Sequence, residues 1–170
     1  MKVIVGADHN GFFLKNDIVK YLKGRKVPAV DAGPAAFDKD DDYPVYARKV
    51  AEAVAKDPES RGIIVCGSGT GVAIAANKVK GIRAAELTTE DAVYLGRSHN
   101  NINVLCLNGL DFTGFYKKLS KMKGEKVLMD LKPKKISLIK VKKLIDIFLT
   151  TKFEGGRHQR RLDMISDMEH

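Results

Sequence analysis

The first 108 residues alternate short apolar runs with amphipathic stretches. Lys2–Ala7 (KVIVGA), Ala29–Asp31, Gly62–Val65 (GIIV), Arg83–Leu87 and Asn103–Leu107 (NVLCL) read as five strands. Between them Leu14, Ile18, Tyr21 and Leu22, and then Ala47, Val50, Ala51 and Val54, recur at helical spacing. Pro44 suits the first turn of the second helix, Val72–Lys78 reads as a third, and Thr89 is placed to cap a fourth that reaches Ser98. Strands alternating with helices of this length predict βαβ units: a three-layer α/β/α sandwich around a five-stranded, mainly parallel, Rossmann-like sheet. Regularity fails from Leu110 to Pro133. It returns as one amphipathic helix marked by Leu138, Val141, Leu144, Ile145 and Phe148, followed by a polar, basic tail. No repeat or boundary intervenes. Residues 1–170 therefore read as one domain with an insertion at about 115–135 and a C-terminal helix and tail at 138–170.

Composition narrows the class further. A chain of 170 residues with 44% apolar content can bury a sizeable core. Two cysteines cannot build a disulfide framework, and no signal-peptide pattern or membrane-length apolar run appears, so the expected setting is reducing and cytoplasmic. The net charge of +9 is the unusual entry in this composition and invites a polyanion partner. It is a local feature. Lys117 to Lys143 holds eleven lysines against Glu125 and Asp130, leaving 19 basic and 19 acidic residues elsewhere. That segment interleaves no aromatic residues beyond Phe115 and Tyr116, so base stacking is poorly provided for and nucleic acid is a disfavoured partner.

Three polar clusters follow element ends: Asp8-His9-Asn10-Gly11, Cys66-Gly67-Ser68-Gly69-Thr70-Gly71 and His99-Asn100-Asn101. In parallel sheets ligands bind beyond the carboxyl ends of strands, so these clusters are the expected site. Glycines at 67, 69 and 71 let backbone amides turn toward one point, an anion cradle, although the spacing is not that of a P-loop and also fits a plain tight turn. Cys66 at the mouth of that turn is expected to feel amide donors and a helix dipole that favour thiolate, which suits a base or nucleophile. A strand-end cysteine is also a common small core residue, the reading given to Cys106. His99 suits proton transfer near neutral pH or a plain capping role, and Asp8 and His9 share that ambiguity. Arg157 and Arg161, four apart, would share a helix face and could grip a phosphate, or simply be solvated. No set of His, Cys and carboxylates shows metal-ligand spacing.

Taken together, the stretches GADHNGFFLK, DYP at 42–44, VCGSGTGVAIAANKVKGIRAA at 65–85, SHNNINV at 98–104 and EGGRHQRRLDMI at 154–165 resemble the ribose-5-phosphate isomerase type B and galactose-6-phosphate isomerase family. The resemblance covers about residues 1–110 and 144–165. It implies aldose–ketose isomerisation of a sugar phosphate through a cis-enediolate, without metal or organic cofactor. By the same resemblance, Cys66 matches the base. The amides of Gly67, Gly69, Thr70 and Gly71 with the Ser68 hydroxyl match an enediolate hole, and His99 matches the ring-opening residue with Asn100 beside it. Asp8 and His9 match sugar- and phosphate-facing positions, and Arg157 and Arg161 a phosphate clamp. One subgroup uses a Glu as base; with Val72 in that Glu's place and Cys66 present, this chain resembles the Cys subgroup. The resemblance further implies a homodimer or homotetramer with shared active sites. Two departures stand out. Leu110 occupies a position where the family usually carries an Arg, and about twenty extra residues follow it. Ribose 5-phosphate is the expected substrate. The alternatives are a hexose 6-phosphate (allose or galactose) and a catalytically idle polyanion-binding relative.

Overall fold

The computed structural model describes residues 1–114 and 134–169. The segment expected as a lysine-rich insertion falls mostly outside them. Five strands, β1 (Val3–Ala7), β2 (Ala29–Asp31), β3 (Arg61–Cys66), β4 (Ala84–Glu86) and β5 (Val104–Asn108), form one sheet in the order β2-β1-β3-β5-β4. Every pairing is parallel, so the sheet is more uniform than the mainly parallel one expected. The described helices are α1 (Phe12–Gly24), α2 (Tyr43–Ala55), α3 (Thr70–Ala76), α4 (Glu90–Ser98), α5 (Leu138–Thr150) and α6 (Arg157–Ser166). Thr89 caps α4 as the sequence suggests, its side chain accepting from the Ala92 amide. The third helix starts two residues earlier than expected, because the glycine turn runs directly into it.

Alternation along each strand sends side chains to two cores. Val3, Val5 and Ala7, Ile63 and Val65, and Leu105 and Leu107 meet Ile18 and Leu22 of α1, Val93 of α4 and Leu144, Ile145 and Phe148 of α5. Ile4, Ile64, Cys66, Val104 and Cys106 meet Ala47, Val50, Ala51 and Val54 of α2 with Val72 and Ala76 of α3. That second face is built from small residues and packs close. A Cβ on Gly62 would stand 2.8 Å from the Val50 side chain. Among the described residues, no helix is long and apolar enough to cross a membrane.

The chain turns back from β1 to β2 on one side and proceeds through β3, β4 and β5 on the other. The sheet order therefore switches direction between β1 and β3, where an open α/β sheet leaves a crevice beyond its carboxyl edge. The loop bordering that crevice is anchored from below. Lys15 of α1, 1% exposed, places its ammonium 2.7 and 2.6 Å from the two Asp31 oxygens and 2.9 Å from the Pro34 carbonyl. Asp31→Ala strands that buried cation without its counterion, and the expected cost is about 3 kcal/mol, read as a lowered urea midpoint.

The irregular stretch after β5 hides one small element. Leu110–Asp111 (β6) pairs antiparallel with Lys134–Lys135 (β7), closing the base of the segment between them. Two-residue strands carry too little periodicity to be read from sequence. The basic tail is also more ordered than expected, since Arg157–Ser166 is a helix seated by buried His158 and Leu162.

Candidate active site

β1 delivers Asp8 and His9 to the crevice, and β3 delivers Cys66 beside them. Asp8 is 4% exposed and accepts the Gly11 amide on Oδ1 at 3.0 Å. Burial pushes its carboxyl above the usual range, against the pull of that amide and of His9. His9 is clamped. Its backbone amide and its Nδ1 both reach Asp41 Oδ1, at 2.9 and 2.7 Å, while Asn10 Nδ2 stands 2.8 Å from Nε2. A carboxylate only accepts, so Asp41 fixes the ring proton on Nδ1 and leaves Nε2 as the acceptor.

After Cys66 the chain makes the tight turn its glycines predict. Gly69 has φ +88°, and a Cβ there would stand 2.9 Å from the Glu86 side chain, so only glycine fits without rearrangement. The Gly69 amide donates to Cys66 Sγ at 3.0 Å, and the amides of Ser68 and Val72 also face the sulfur. The cradle thus closes on the thiol itself. Burial nevertheless outweighs these donors and pushes the thiol above its ordinary pKa, with the Asp8 charge adding to the push. This corrects the expectation of a favoured thiolate. The helix-start donors are present, but a sulfur 5% exposed loses more from dehydration than it gains from them. Cys106 is fully buried and raised further, as befits core filling.

Ser68 borders a cavity of about 550 Å³ that also touches Glu86, Asn108, Thr113 and Lys140. Ser68 lines it directly, while the Thr70 hydroxyl is engaged by Glu86 Oε2 at 2.6 Å. Tyr43, at the start of α2, lies over Gly71, whose hypothetical Cβ would meet its ring at 2.8 Å. Leu110 faces Lys135 across the β6–β7 ladder, and both line a small pocket of about 130 Å³ with Asn10. Asp41 and Tyr43 are functional candidates that sequence reasoning passed over, Asp41 because it is hidden in an acidic run. A lysine of the segment ending at Lys135 could replace the cation missing at Leu110, and Lys135 is the residue that pairs with Leu110.

The remaining candidates stand elsewhere. His99 caps the carboxyl end of α4, which leads into the amino end of β5, whereas Cys66 pairs with Asn108 at that strand's other end. Five residues of strand at ~3.3 Å each put the two on the order of 15 Å apart along the strand direction, at opposite edges of the sheet. The expectation that all three polar clusters share the carboxyl edge therefore fails for His99-Asn100-Asn101, which follows a helix end rather than a strand end. His99 has its own company. Its ring stacks on His158, and the loop before α6 is tied to α4 by the Glu154 amide, which donates to the Ser98 carbonyl at 2.9 Å. Arg157 and Arg161 are exposed on that helix, and Asn100 is exposed beside it.

An α/β/α sheet with a buried thiol and a donor-rich turn at its switch point defines a small-molecule enzyme of the doubly wound class. The chain belongs to the ribose/galactose isomerase family, whose profile matches residues 3–165. It is 40% identical over 164 residues to a probable ribose-5-phosphate isomerase B of Mycoplasma genitalium, covering 96% of this chain and 92% of the relative. It is 37% identical over 168 residues to ribose-5-phosphate isomerase B of Escherichia coli, covering 99% and 96%. The crystal structure of the Mycoplasma genitalium enzyme with bound ribulose-5-phosphate superposes with a TM-score of 0.81 at 38% identity, covering 99% of this chain and 95% of that one. The Clostridium thermocellum enzyme gives 0.80 at 36% identity, covering 99% and 97%.

Proposed function

We propose that this protein interconverts ribose 5-phosphate and ribulose 5-phosphate, with Cys66 as the base. The observation that carries the reading is the thiol at the switch point, ringed by amides, in a chain alike over nearly its whole length to ribose-5-phosphate isomerases B. In the open-chain aldose, Cys66 takes the proton from C2, and the electrons move onto the carbonyl oxygen to give the cis-enediolate. The thiol returns the proton to C1 while the O2 proton passes to O1, so the reaction balances without an added oxidant, reductant or cofactor. The Ser68 hydroxyl and the amides of Gly67 and Gly71 stabilise the enediolate oxygens, while the Gly69 amide stays on the Cys66 sulfur and the Thr70 amide on Ser68 Oγ. Preorganised donors of this kind contribute about 3 kcal/mol. Asp8 and His9 hold the sugar and phosphate side of the crevice, with Lys135 the nearby cation across from Leu110.

Ring opening precedes that chemistry and needs His99, which one chain cannot bring to its own Cys66. Two copies complete the site, one giving Asp8, His9, Cys66 and the glycine turn, the other His99, Asn100, Arg157 and Arg161. The surface beside edge strand β4 supports self-association. Ile74, Tyr94 and Leu95 are 59, 49 and 45% exposed there, and a cleft of about 630 Å³ runs between α4 and α6 past Asn100. We assign the whole chain to one isomerase domain acting in the cytoplasm.

A coupled assay over ribose 5-phosphate, allose 6-phosphate and galactose 6-phosphate tests the reading. The expected kcat/KM for the pentose exceeds either hexose at least about tenfold, the discrimination that pocket contacts of one extra carbon supply. A hexose preference replaces the substrate. Inactivity on all three, with salt-sensitive DNA binding, replaces the function by polyanion binding.

A further inference from the structure

The half-site at the amino end of the sheet contains more than a lone histidine. His99 and His158 stack with ring centres 4.2 Å apart and planes 10° from parallel. One oxygen of Glu154 stands 3.7 Å from His99 Nε2 and 3.8 Å from His158 Nε2. Three such groups with ligand atoms within 4.8 Å of one another could suit a metal by number. Their geometry does not. Parallel rings aim their Nε2 lone pairs side by side rather than at one point, and the cationic Arg157 places its Nε 3.5 Å from His158 Nε2. A carboxylate facing two imidazoles is suited to hold a proton.

We propose that Glu154 is a positioning residue for ring opening, fixing the His99 imidazole against the flat face of His158 so that His99 carries the transferable proton. The proposal rests on the isomerase reading above. Glu154 is itself held in place by its amide's bond to Ser98, the residue before His99. His158 is nearly enclosed, and its burial, the facing His99 and the charges of Arg157 and Arg161 depress its pKa against the opposing pull of Glu154. His158 is therefore neutral near pH 7, and His99 is the ring that opens to solvent. Arg97 turns inward to Asn101 and the Ile102 carbonyl, and Lys143 of α5 pairs with Glu90 at the far end of α4.

Opening the furanose of ribose 5-phosphate breaks the C1–O4 bond. His99 delivers its proton to O4, O1 becomes the aldehyde oxygen as its proton passes to water, and water reprotonates the imidazole. Ribulose 5-phosphate has no such ring, because the phosphate occupies the oxygen that would close it. Enolisation from the ketose side therefore calls on Cys66 and not on His99.

That asymmetry supplies the test, made on the full chain with the isosteric Glu154→Gln. Conversion of ribose 5-phosphate is measured beside deuterium uptake from heavy water at C1 of ribulose 5-phosphate. Aldose conversion is expected to fall about tenfold, part of the 10²–10⁴ a positioned proton donor contributes, while deuterium uptake stays within about twofold of wild type. Equal loss of both activities, or undiminished conversion, overturns the positioning role. A wild-type protein that neither converts nor exchanges overturns the isomerase reading, and the role of Glu154 falls with it.

Discussion

Cys66→Ala lowers isomerisation by about 10³-fold or more and leaves the fold in place. The catalytic loss is large because no other group shares the position of the sulfur. Asp8, the neighbouring acid, is engaged by the Gly11 amide, and Val72 supplies no carboxylate. The structural loss is small. The substitution removes one sulfur atom and the contact from the Gly69 amide, and the expected cost is about 1 kcal/mol in thermal or urea unfolding. The remaining chain should elute and unfold as wild type, which separates a missing base from a missing fold. The pH dependence carries a definite sign. With the Cys66 thiolate as the proposed base, burial that pushes the thiol above its ordinary pKa leaves the free enzyme near pH 7 mostly in the inactive, protonated form. The kcat/KM is therefore expected to climb with pH across about 7 to 9, and alkylation of Cys66 by iodoacetamide to climb in parallel. A flat profile over that range, or undiminished turnover in Cys66→Ala, removes Cys66 from the base position.

The sheet and its flanking helices were legible because each strand is a compact apolar run and each helix has one apolar face. Ala47, Val50, Ala51 and Val54 sit at helical spacing and are all fully buried or nearly so. The site was legible in part. The glycine turn shows itself because a left-handed residue such as Gly69 leaves a specific mark in sequence, and Thr89 does so as a cap. Three things were not visible. Whether burial or the amide donors dominate at Cys66 is a balance of opposing terms that depends on enclosure, and composition says nothing of enclosure. The clamp of Asp41 on His9 spans 32 residues of chain and is chosen from a run of four acidic neighbours. The position of His99 was misjudged because clusters after helix ends and after strand ends were grouped together, while in a parallel sheet the two lie on opposite edges. The resemblance to a family points to residues at both edges of the sheet, and the topology separates Cys66 from His99 within one chain.

Two inactive variants should restore one another. Cys66→Ala damages only the half-site at the carboxyl edge, and His99→Asn only the half-site at the amino edge. Each homodimer is dead at both of its sites. In a two-fold symmetric mixed dimer, one composite site collects both substitutions and the other collects neither. Random exchange in an equal mixture makes about half the dimers mixed, each with one intact site, so about a quarter of wild-type activity should return. The measurement is isomerase activity after the two variants are unfolded together and refolded, against each refolded alone. A second chain bearing Cys66→Ala and His99→Asn together is the control. Mixed with wild type, it too gives mixed dimers, but each of their sites lacks either the thiol or the imidazole, so it only dilutes. Failure of the two single variants to complement, with mixed dimers demonstrated by mass, would mean that Cys66 and His99 serve one site within one chain. The ~15 Å of sheet between them argues against that arrangement, because neither side chain is long enough to span it, and Cys66 ends buried strand β3 while His99 caps α4 at the other edge.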